Sequence, residues 1–144
     1  MDVQPPRIYP CLRYEDAPAM IEWLVRAFAF EKNAVYAADD GSIAHAQLSF
    51  GSAMIMLGSG KNSDSELDKV FRTPREAGPL SSQTIYIAVD DVDAHHNRAK
   101  AAGAEILMEL TDQPYGSRDY ICKDPEGNVW CFGTYWPKVG EEPQ

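Results

Sequence analysis

His45 is the histidine of this chain best placed for acid–base chemistry. It lies on a predicted strand over residues 43–50, where successive side chains alternate between two faces. His45 and Gln47 belong to the polar row, and Ala46 and Leu48 belong to the apolar row that should pack under a helix. Since imidazole titrates near neutral pH, His45 can act as a general base or as a hydrogen-bond donor. A partly buried histidine bonded to the backbone is an equally good interpretation.

The other two histidines and the three cysteines are weaker candidates for a chemical role. His95 and His96 are neighbours on a predicted helix, so they point about 100° apart, and we expect them on a solvated surface rather than in a metal site. The three cysteines show no C-x-x-C spacing, which favours reduced thiols in a cytoplasmic protein. No base or positive group lies near Cys131 in sequence, and we expect all three thiols to be buried and unreactive. They are Cys11, Cys122 and Cys131.

The chain contains the same order of elements twice: a strand, a helix and three more strands. The first copy runs from about Ile8 to Leu57 and the second from about Thr84 to Tyr135. Asp16 is a good N-cap for the first helix, and Gly103 ends the second, whose acidic start and basic end suit the helix dipole. Half a chain of this size cannot bury a core alone. The copies are therefore expected to pair into one domain with a ligand cleft between them.

Strand alternation suggests which side chains face this cleft. Tyr9 and Tyr86 share the predicted inward faces with other polar residues and can stack on a planar ligand. Matching the copies through their turns places Arg118 opposite His45 to within about one residue. The planar guanidinium of Arg118 can anchor a carboxylate or phosphate, or it can form a structural ion pair with Asp119 or Glu109. Aromatic residues of the last strand, such as Trp130, are expected to pack beneath a helix.

Composition excludes several classes of function. The 144 residues include 13 basic and 22 acidic ones, for a net charge of −9, so no basic stripe is available for nucleic acid. The acidity favours solubility, or alternatively attracts cationic ligands. No segment has the length and apolarity of a membrane span, and residues 1–10 lack a signal-peptide pattern. We therefore expect a cytoplasmic protein with no nucleic-acid or membrane partner.

Residues 59–82 should connect the two modules. They are polar and rich in Ser and Gly, which predicts a long mobile connection with one helical turn near residues 66–71. The connection can cover the cleft as a lid, act as a tether, or contact a partner protein. The sequence thus predicts one domain over residues 1–144, with module one at about 7–58 and module two at about 83–136.

Residues 115–135, YGSRDYICKDPEGNVWCFGTY, resemble the closing hairpin of the glyoxalase/bleomycin-resistance/dioxygenase proteins, the vicinal oxygen chelate superfamily. Residues 8–28 and 41–57 resemble its first module, and residues 84–107 resemble the start of its second. The resemblance implies an α+β fold in which two βαβββ modules form a curved, mostly antiparallel sheet around a cleft, usually in a homodimer. It is closest to the glyoxalase-like bacterial members.

The resemblance also implies four strand positions that hold a divalent metal in the metalloenzymes of this family, through His, Glu or Gln. Here they are Tyr9, Thr84, Cys131 and one position within residues 53–57, AMIML. None is a carboxylate or an imidazole, the ligands that such metals prefer. We therefore expect no metal and no other cofactor, with a divalent metal as the alternative.

Two hypotheses follow. The first is a metal-free protein that binds a small aromatic or amphipathic molecule in the inter-module cleft, in a sequestration or resistance role. The second is a glyoxalase-like isomerase, lyase or dioxygenase in which His45, or a metal held in an unusual way, performs the chemistry. The residues predicted to contact the ligand are Tyr9, Cys11, Arg13, His45, Gln47, Thr84, Tyr86, Arg118, Tyr120 and Cys131.

Overall fold

The computed structural model describes residues 4–61 and 63–141, which form two compact units that divide after Leu80. Each unit contains one copy of the strand–helix–three-strand order, so the repeat predicted from the sequence is confirmed. The fold is α+β, with two four-stranded mixed sheets rather than one continuous sheet. None of the helices in the described ranges is long and apolar enough to cross a membrane.

In the first unit, the strand order is β1-β4-β3-β2. The first strand lies parallel to β4, and the remaining neighbours are antiparallel. The crossover through α1 joins the edge strand β1 to the opposite edge strand β2, so the helix covers one face of the sheet. The elements are β1 (Cys11–Tyr14), α1 (Ala17–Phe28), β2 (Glu31–Ala37), β3 (Ile43–Phe50), β4 (Ala53–Ser59), α2 (Glu66–Val70) and α3 (Pro74–Ala77).

Helix α1 forms where the sequence predicted it. The Asp16 side chain accepts the backbone N–H of Ala19 at 3.2 Å, and the helix ends at Ala29, whose φ of 69° is left-handed. Its apolar side packs on the sheet against Ala46 and Leu48, both of which are fully buried. The polar row of β3 therefore points away from α1.

The second unit repeats this arrangement with the strand order β5-β8-β7-β6. The first strand again lies parallel to the last, with β7 antiparallel to both of its neighbours. Trp130 and Phe132 of the last strand are fully buried, as expected for residues beneath a helix. The elements are β5 (Ile85–Ala88), α4 (Val92–Ala101), β6 (Glu105–Asp112), β7 (Arg118–Lys123) and β8 (Val129–Gly133).

The predicted solvated surface for His95 and His96 is wrong. Both are buried, with 8% and 5% of their surface exposed. Nδ1 of His95 lies 2.6 Å from the Tyr120 hydroxyl, and Nε2 of His96 lies 2.7 Å from Oε2 of Glu109. Helical spacing relates the two rings only to each other, whereas each ring finds its partner on the sheet beneath α4.

The turn between β7 and β8 is organised by Asp124. Its Oδ1 accepts the backbone N–H groups of Glu126, Gly127 and Asn128 at 3.0, 2.9 and 3.1 Å. Its Oδ2 accepts the indole N–H of Trp130 at 3.0 Å. The carboxylate is buried, so these four bonds replace the water it loses. This explains why an acid precedes the turn and an indole follows it.

The connection between the two copies contains two short helices. Helix α2 confirms the predicted helical turn, and α3 was not predicted. Thr73 and Glu76 form a reciprocal capping box at the start of α3. This S/T-x-x-E signature is readable in the sequence.

Candidate functional site

The face of the first sheet that points away from α1 carries His45 in a chain of polar contacts. Nδ2 of Asn33 lies 2.7 Å from Oε1 of Gln47, and Nε2 of Gln47 lies 3.2 Å from Nε2 of His45. The Tyr36 ring stacks on the imidazole, with centroids 6.3 Å apart and an interplanar angle of 18°. The β2–β3 register brings these residues together by pairing Tyr36 with His45.

These contacts define the state of the imidazole. Asn33 donates to the Gln47 carbonyl oxygen, which leaves the Gln47 amide N–H to donate to Nε2 of His45. Neutral His45 therefore carries its proton on Nδ1. In this state Nδ1 can donate a hydrogen bond, whereas Nε2 can accept a proton only after it loses the Gln47 N–H. The structure thus brings the predicted His45 and Gln47 together as an oriented hydrogen-bond donor and its support.

A cavity of 180 Å³ opens beside His45 within the first unit. Three of the predicted ligand contacts line it, namely Cys11, Arg13 and His45, together with residues from β4 and the connection. The Arg13 guanidinium is already engaged at the cavity wall. It donates to Asp68, and its carbon lies 4.5 Å from the centroid of the Phe71 ring. Met56, Lys61 and Phe71 also line this cavity.

The register of the second sheet corrects the predicted match between the copies. In the first unit Gln47 pairs with Met56, which pairs with Cys11. In the second unit Ile121 pairs with Cys131, which pairs with Tyr86. Gln47 thus corresponds to Ile121, and two residues earlier His45 corresponds to Asp119, not to Arg118. The shift of one residue moves the corresponding side chain to the other face of the sheet.

Arg118 and Tyr120, two of the predicted ligand contacts, therefore lie on the other face of the sheet from the counterpart of His45. Tyr120 and Cys122 are fully buried on the side of the sheet that α4 covers. The Arg118 guanidinium forms ion pairs with Asp93 at 2.8 Å and Asp112 at 3.0 Å. Arg118 is thus paired structurally, through partners other than the Asp119 and Glu109 that the sequence suggested. These two carboxylates raise its pKa further above its usual value.

Asp119 lies in a hydrogen-bonded cluster on the face that α4 leaves open. The Ser117 hydroxyl donates to its Oδ1, and the Tyr115 hydroxyl donates to its Oδ2 at 3.1 Å. Burial, and then the nearby Asp119 charge, raise the pKa of the Cys131 thiol to about 11. Burial likewise raises the pKa of Tyr86 to about 12, and its hydroxyl donates to the Tyr135 carbonyl at 2.6 Å.

Gly133 is required by this cluster. A Cβ at this position would lie 2.1 Å from Oδ1 of Asp119 and 2.8 Å from the Tyr86 hydroxyl. Any side chain there displaces one or both groups. A second cavity of 270 Å³ begins next to the cluster and is lined by aromatic residues of the chain that follows β8, among them Tyr135 and Trp136.

The remaining predicted contacts are less enclosed. Tyr9 is half-buried ahead of β1, and its carbonyl accepts the Cys11 thiol at 3.4 Å. Thr84 is exposed ahead of β5. The expectation of three buried thiols is wrong for Cys11, which is exposed, whereas burial raises the pKa of Cys122 to about 12.

The side chains at the four family positions do not fit a divalent metal. The registers place Met56 at the first-module position that the sequence left within residues 53–57, because it corresponds to Cys131. The donor set is then a phenol, a thioether, a hydroxyl and a thiol, and the Cys131 thiol is held protonated. Across residues 4–61 and 63–141, no three His, Cys, Asp or Glu side chains are grouped as metal ligands. None of these four groups is a carboxylate or an imidazole, the ligands that such metals prefer.

Four residues near His45 were missed by the sequence argument. Asn33 and Tyr36 lie on β2, and Lys61 and Phe71 lie in the connection. The alternation of β2 was a usable signal for Tyr36, since an antiparallel neighbour of β3 must present side chains beside His45. Asn33 lies three residues earlier and reaches Gln47 at the register shift between Lys32 and Ala34, which alternation does not predict. No sequence signal places Phe71 over the sheet.

Comparison with known proteins identifies the class. The model of the Glyoxalase/Bleomycin resistance protein/Dioxygenase superfamily matches residues 8–132. The chain belongs to this family.

Similar proteins include the uncharacterized protein Rv0887c of Mycobacterium tuberculosis (strain ATCC 25618 / H37Rv). It is 33% identical over 130 residues, which cover 89% of this chain and 74% of the relative. The structure of TioX from Micromonospora sp. ML1 superposes with a TM-score of 0.68 at 32% identity, covering 88% of this chain and 97% of that one. The fosfomycin resistance protein FosX from Mesorhizobium loti shares the fold, with a TM-score of 0.60 at 15% identity over 93% of this chain and 95% of its own.

Proposed function

We propose that the protein binds a small aromatic or amphipathic molecule without a metal, in a sequestration or resistance role. One observation carries this proposal: the four positions that would hold a metal are occupied by Tyr9, Met56, Thr84 and Cys131. A site that has lost the ligands for a hard cation but keeps the fold retains the shape needed for binding.

The open face of the first sheet supports this proposal. His45 supplies an oriented polar group, and Tyr36 supplies an aromatic surface that is 60% exposed. Met56 adds a flexible apolar wall to the cavity. An apolar surface with few oriented polar groups is the usual composition of a small-molecule site. The inter-module cleft, the homodimer and the cytoplasmic location remain predictions.

A second candidate function is favoured by the Asn33–Gln47–His45 chain. A histidine held in this way can act in the acid–base chemistry of an isomerase, lyase or dioxygenase once Nε2 is released by Gln47. Such reactions must also stabilise an enolate-like charge, which metalloenzymes achieve with their metal. The four substituted positions supply no equivalent positive charge. Binding is therefore the stronger proposal.

The two functions differ in what the loss of His45 does. A fluorescence titration with naphthalene-2-carboxamide compares wild type, His45→Ala and the control Ser49→Ala, which lies two residues beyond Gln47 on the same strand. The Ser49 hydroxyl makes only a 3.5 Å contact with the Glu31 carbonyl. Binding predicts saturation, a dissociation constant raised a few-fold by His45→Ala, and no change for Ser49→Ala. The absence of saturable binding to wild type would refute the proposal, and a turnover of aromatic substrates that His45→Ala abolishes would favour the enzyme.

A further inference from the structure

Arg13 holds part of the connection between the two copies against the open face of the first sheet, through bonds to Asp68 and Phe71. Its guanidinium donates to Oδ1 of Asp68 and, at 2.9 Å, to the Phe71 carbonyl. The guanidinium carbon also lies 4.5 Å from the centroid of the Phe71 ring. Only 10% of the Arg13 side chain and 8% of the Asp68 side chain are exposed. These contacts seat residues 63–71, the strap, beside the cavity.

Apolar packing contributes little to this seating. The two apolar side chains of α2, Leu67 and Val70, are 59% and 81% exposed. Helix α2 has five residues, too few to be stable without external contacts. The strap is thus held mainly by polar bonds to Arg13. The net contribution of such an ion pair is small because desolvation offsets much of its attraction, so we expect the strap to open at low free-energy cost.

The cavity beside the strap is small for a ligand. Its 180 Å³ is below the ~300 Å³ at which pockets for drug-sized ligands begin. The Asp68 carboxylate closes this cavity at Arg13, so a ligand carboxylate that bonds Arg13 needs the strap to move, whereas an uncharged ligand of the same size does not. Moving the strap separates Asp68 from Arg13 and leaves a guanidinium fork at the wall of the enlarged cavity.

The exposed fork has a definite chemical preference. A guanidinium binds carboxylates through two parallel hydrogen bonds, and Lys61 adds a second positive charge to the same cavity. Met56 and Phe71 provide an apolar wall for the body of a ligand. With the strap closed, the Asp68 carboxylate occupies the place at Arg13 that the carboxylate of a ligand would take.

We propose that Arg13 is the anion subsite of this cavity, that Asp68 occupies it as an internal carboxylate, and that the ligand is an aromatic carboxylate which displaces Asp68 and releases the strap. This inference rests on the proposed small-molecule binding function and adds the class of ligand. By holding the strap closed, Asp68 reduces the apparent affinity for the ligand to the intrinsic affinity multiplied by the fraction of time that the strap is open.

Two probes of equal shape test the displacement. Naphthalene-2-carboxylate carries the charge, and naphthalene-2-carboxamide does not. Both are titrated into wild type, Asp68→Asn and Asp64→Asn, with hydrogen exchange of residues 66–71 followed in parallel. Asp64→Asn is the matched control, because it removes the same charge from an exposed position of the strap. Circular dichroism and Tm verify that each variant is folded.

The expected result is that Asp68→Asn binds the carboxylate about tenfold more tightly than wild type, as for a competent state populated to about 10%. The carboxamide should bind all three proteins within about twofold. The carboxylate should also accelerate exchange of residues 66–71 in wild type. Arg13→Met should abolish the preference for carboxylate over carboxamide.

The outcomes separate this inference from the function on which it rests. If both probes bind and Asp68→Asn changes neither affinity, the small-molecule function stands and the displacement is refuted. The same conclusion follows if Asp64→Asn reproduces the effect of Asp68→Asn, since general charge then explains it. If neither probe binds any of the proteins, both proposals are refuted.

Discussion

Nε2 of Gln47 lies 3.2 Å from Nε2 of His45, and the Gln47 carbonyl is held by Asn33 at 2.7 Å. The amide orientation, and with it the imidazole tautomer, is therefore set by a residue of the neighbouring strand. This relationship defines the polar centre of the open face of the first sheet.

Removal of the Gln47 amide should weaken ligand binding without unfolding the sheet. In Gln47→Leu, which replaces the amide with an apolar side chain, His45 loses the donor to Nε2 and both tautomers become populated. We expect affinity for naphthalene-2-carboxamide to fall by a few-fold, as for the loss of one net hydrogen bond of about 1 kcal/mol. Asn33→Ala should have the same direction and a smaller effect, measured by fluorescence titration. An unchanged affinity in Gln47→Leu would show that the tautomer of His45 does not influence binding.

Asp124 should be important for stability rather than for function. Asp124→Ala leaves three backbone N–H groups and the Trp130 indole without their shared acceptor in a buried position. We expect a loss of about 3–5 kcal/mol in the free energy of unfolding, because buried donors are left unpaired. Urea denaturation measures this loss. Asp124→Asn should retain part of the stability, since its carbonyl can still accept the backbone bonds. A loss in the free energy of unfolding below about 1 kcal/mol would mean that water accepts the hydrogen bonds that the Asp124 carboxylate accepted.

Gly133 and Asp119 should be energetically coupled. Gly133→Ala places a methyl group 2.1 Å from the present position of Oδ1 of Asp119, so it should destabilise by about 1–3 kcal/mol through overpacking. In the Gly133→Ala/Asp119→Ala double variant the clash with the carboxylate is gone. The double variant should therefore lose less than the sum of the two single losses, measured by urea denaturation. Strict additivity would contradict this contact.

The strap should respond to acid through Asp68. The Ser63 hydroxyl, followed by Arg13, lowers the pKa of Asp68 below its ordinary 3.8. A lowered folded pKa means that the ionised carboxylate stabilises the strap fully above the unfolded value and loses this effect as the pH falls through the folded pKa. Hydrogen exchange of residues 66–71, corrected for intrinsic rates, should thus be level from pH 5 to 7 and rise below pH 3.8. Asp68→Asn should exchange faster at neutral pH and show no such rise. An identical pH profile for both would exclude Asp68 as the responsible group.

The sequence predicted the repeat, both long helices and the position of His45, because these depend on local patterns. Asp16 as a cap and the alternation of residues 43–50 need no tertiary information. The face of Tyr120 was predicted wrongly because the corresponding turns differ in length, over residues 51–52 and 124–128. Matching the copies through these turns leaves the register open by one residue, and only pairing with β8 settles it. The burial of His95 and His96 depends on partners 25 and 13 residues away, which no local pattern encodes. The Arg13–Asp68 pair spans 55 residues and was invisible for the same reason.

Ligand binding should not depend on a metal, and one paired measurement tests this. Native-purified protein is analysed for Fe, Mn, Ni and Zn by mass spectrometry. Naphthalene-2-carboxamide is then titrated into it before and after dialysis against EDTA. We predict metal well below one equivalent per chain and the same dissociation constant in both titrations. Near-stoichiometric metal, with binding lost after EDTA and restored by that metal, would contradict the account and would make metal-dependent isomerase or dioxygenase chemistry the function to assay.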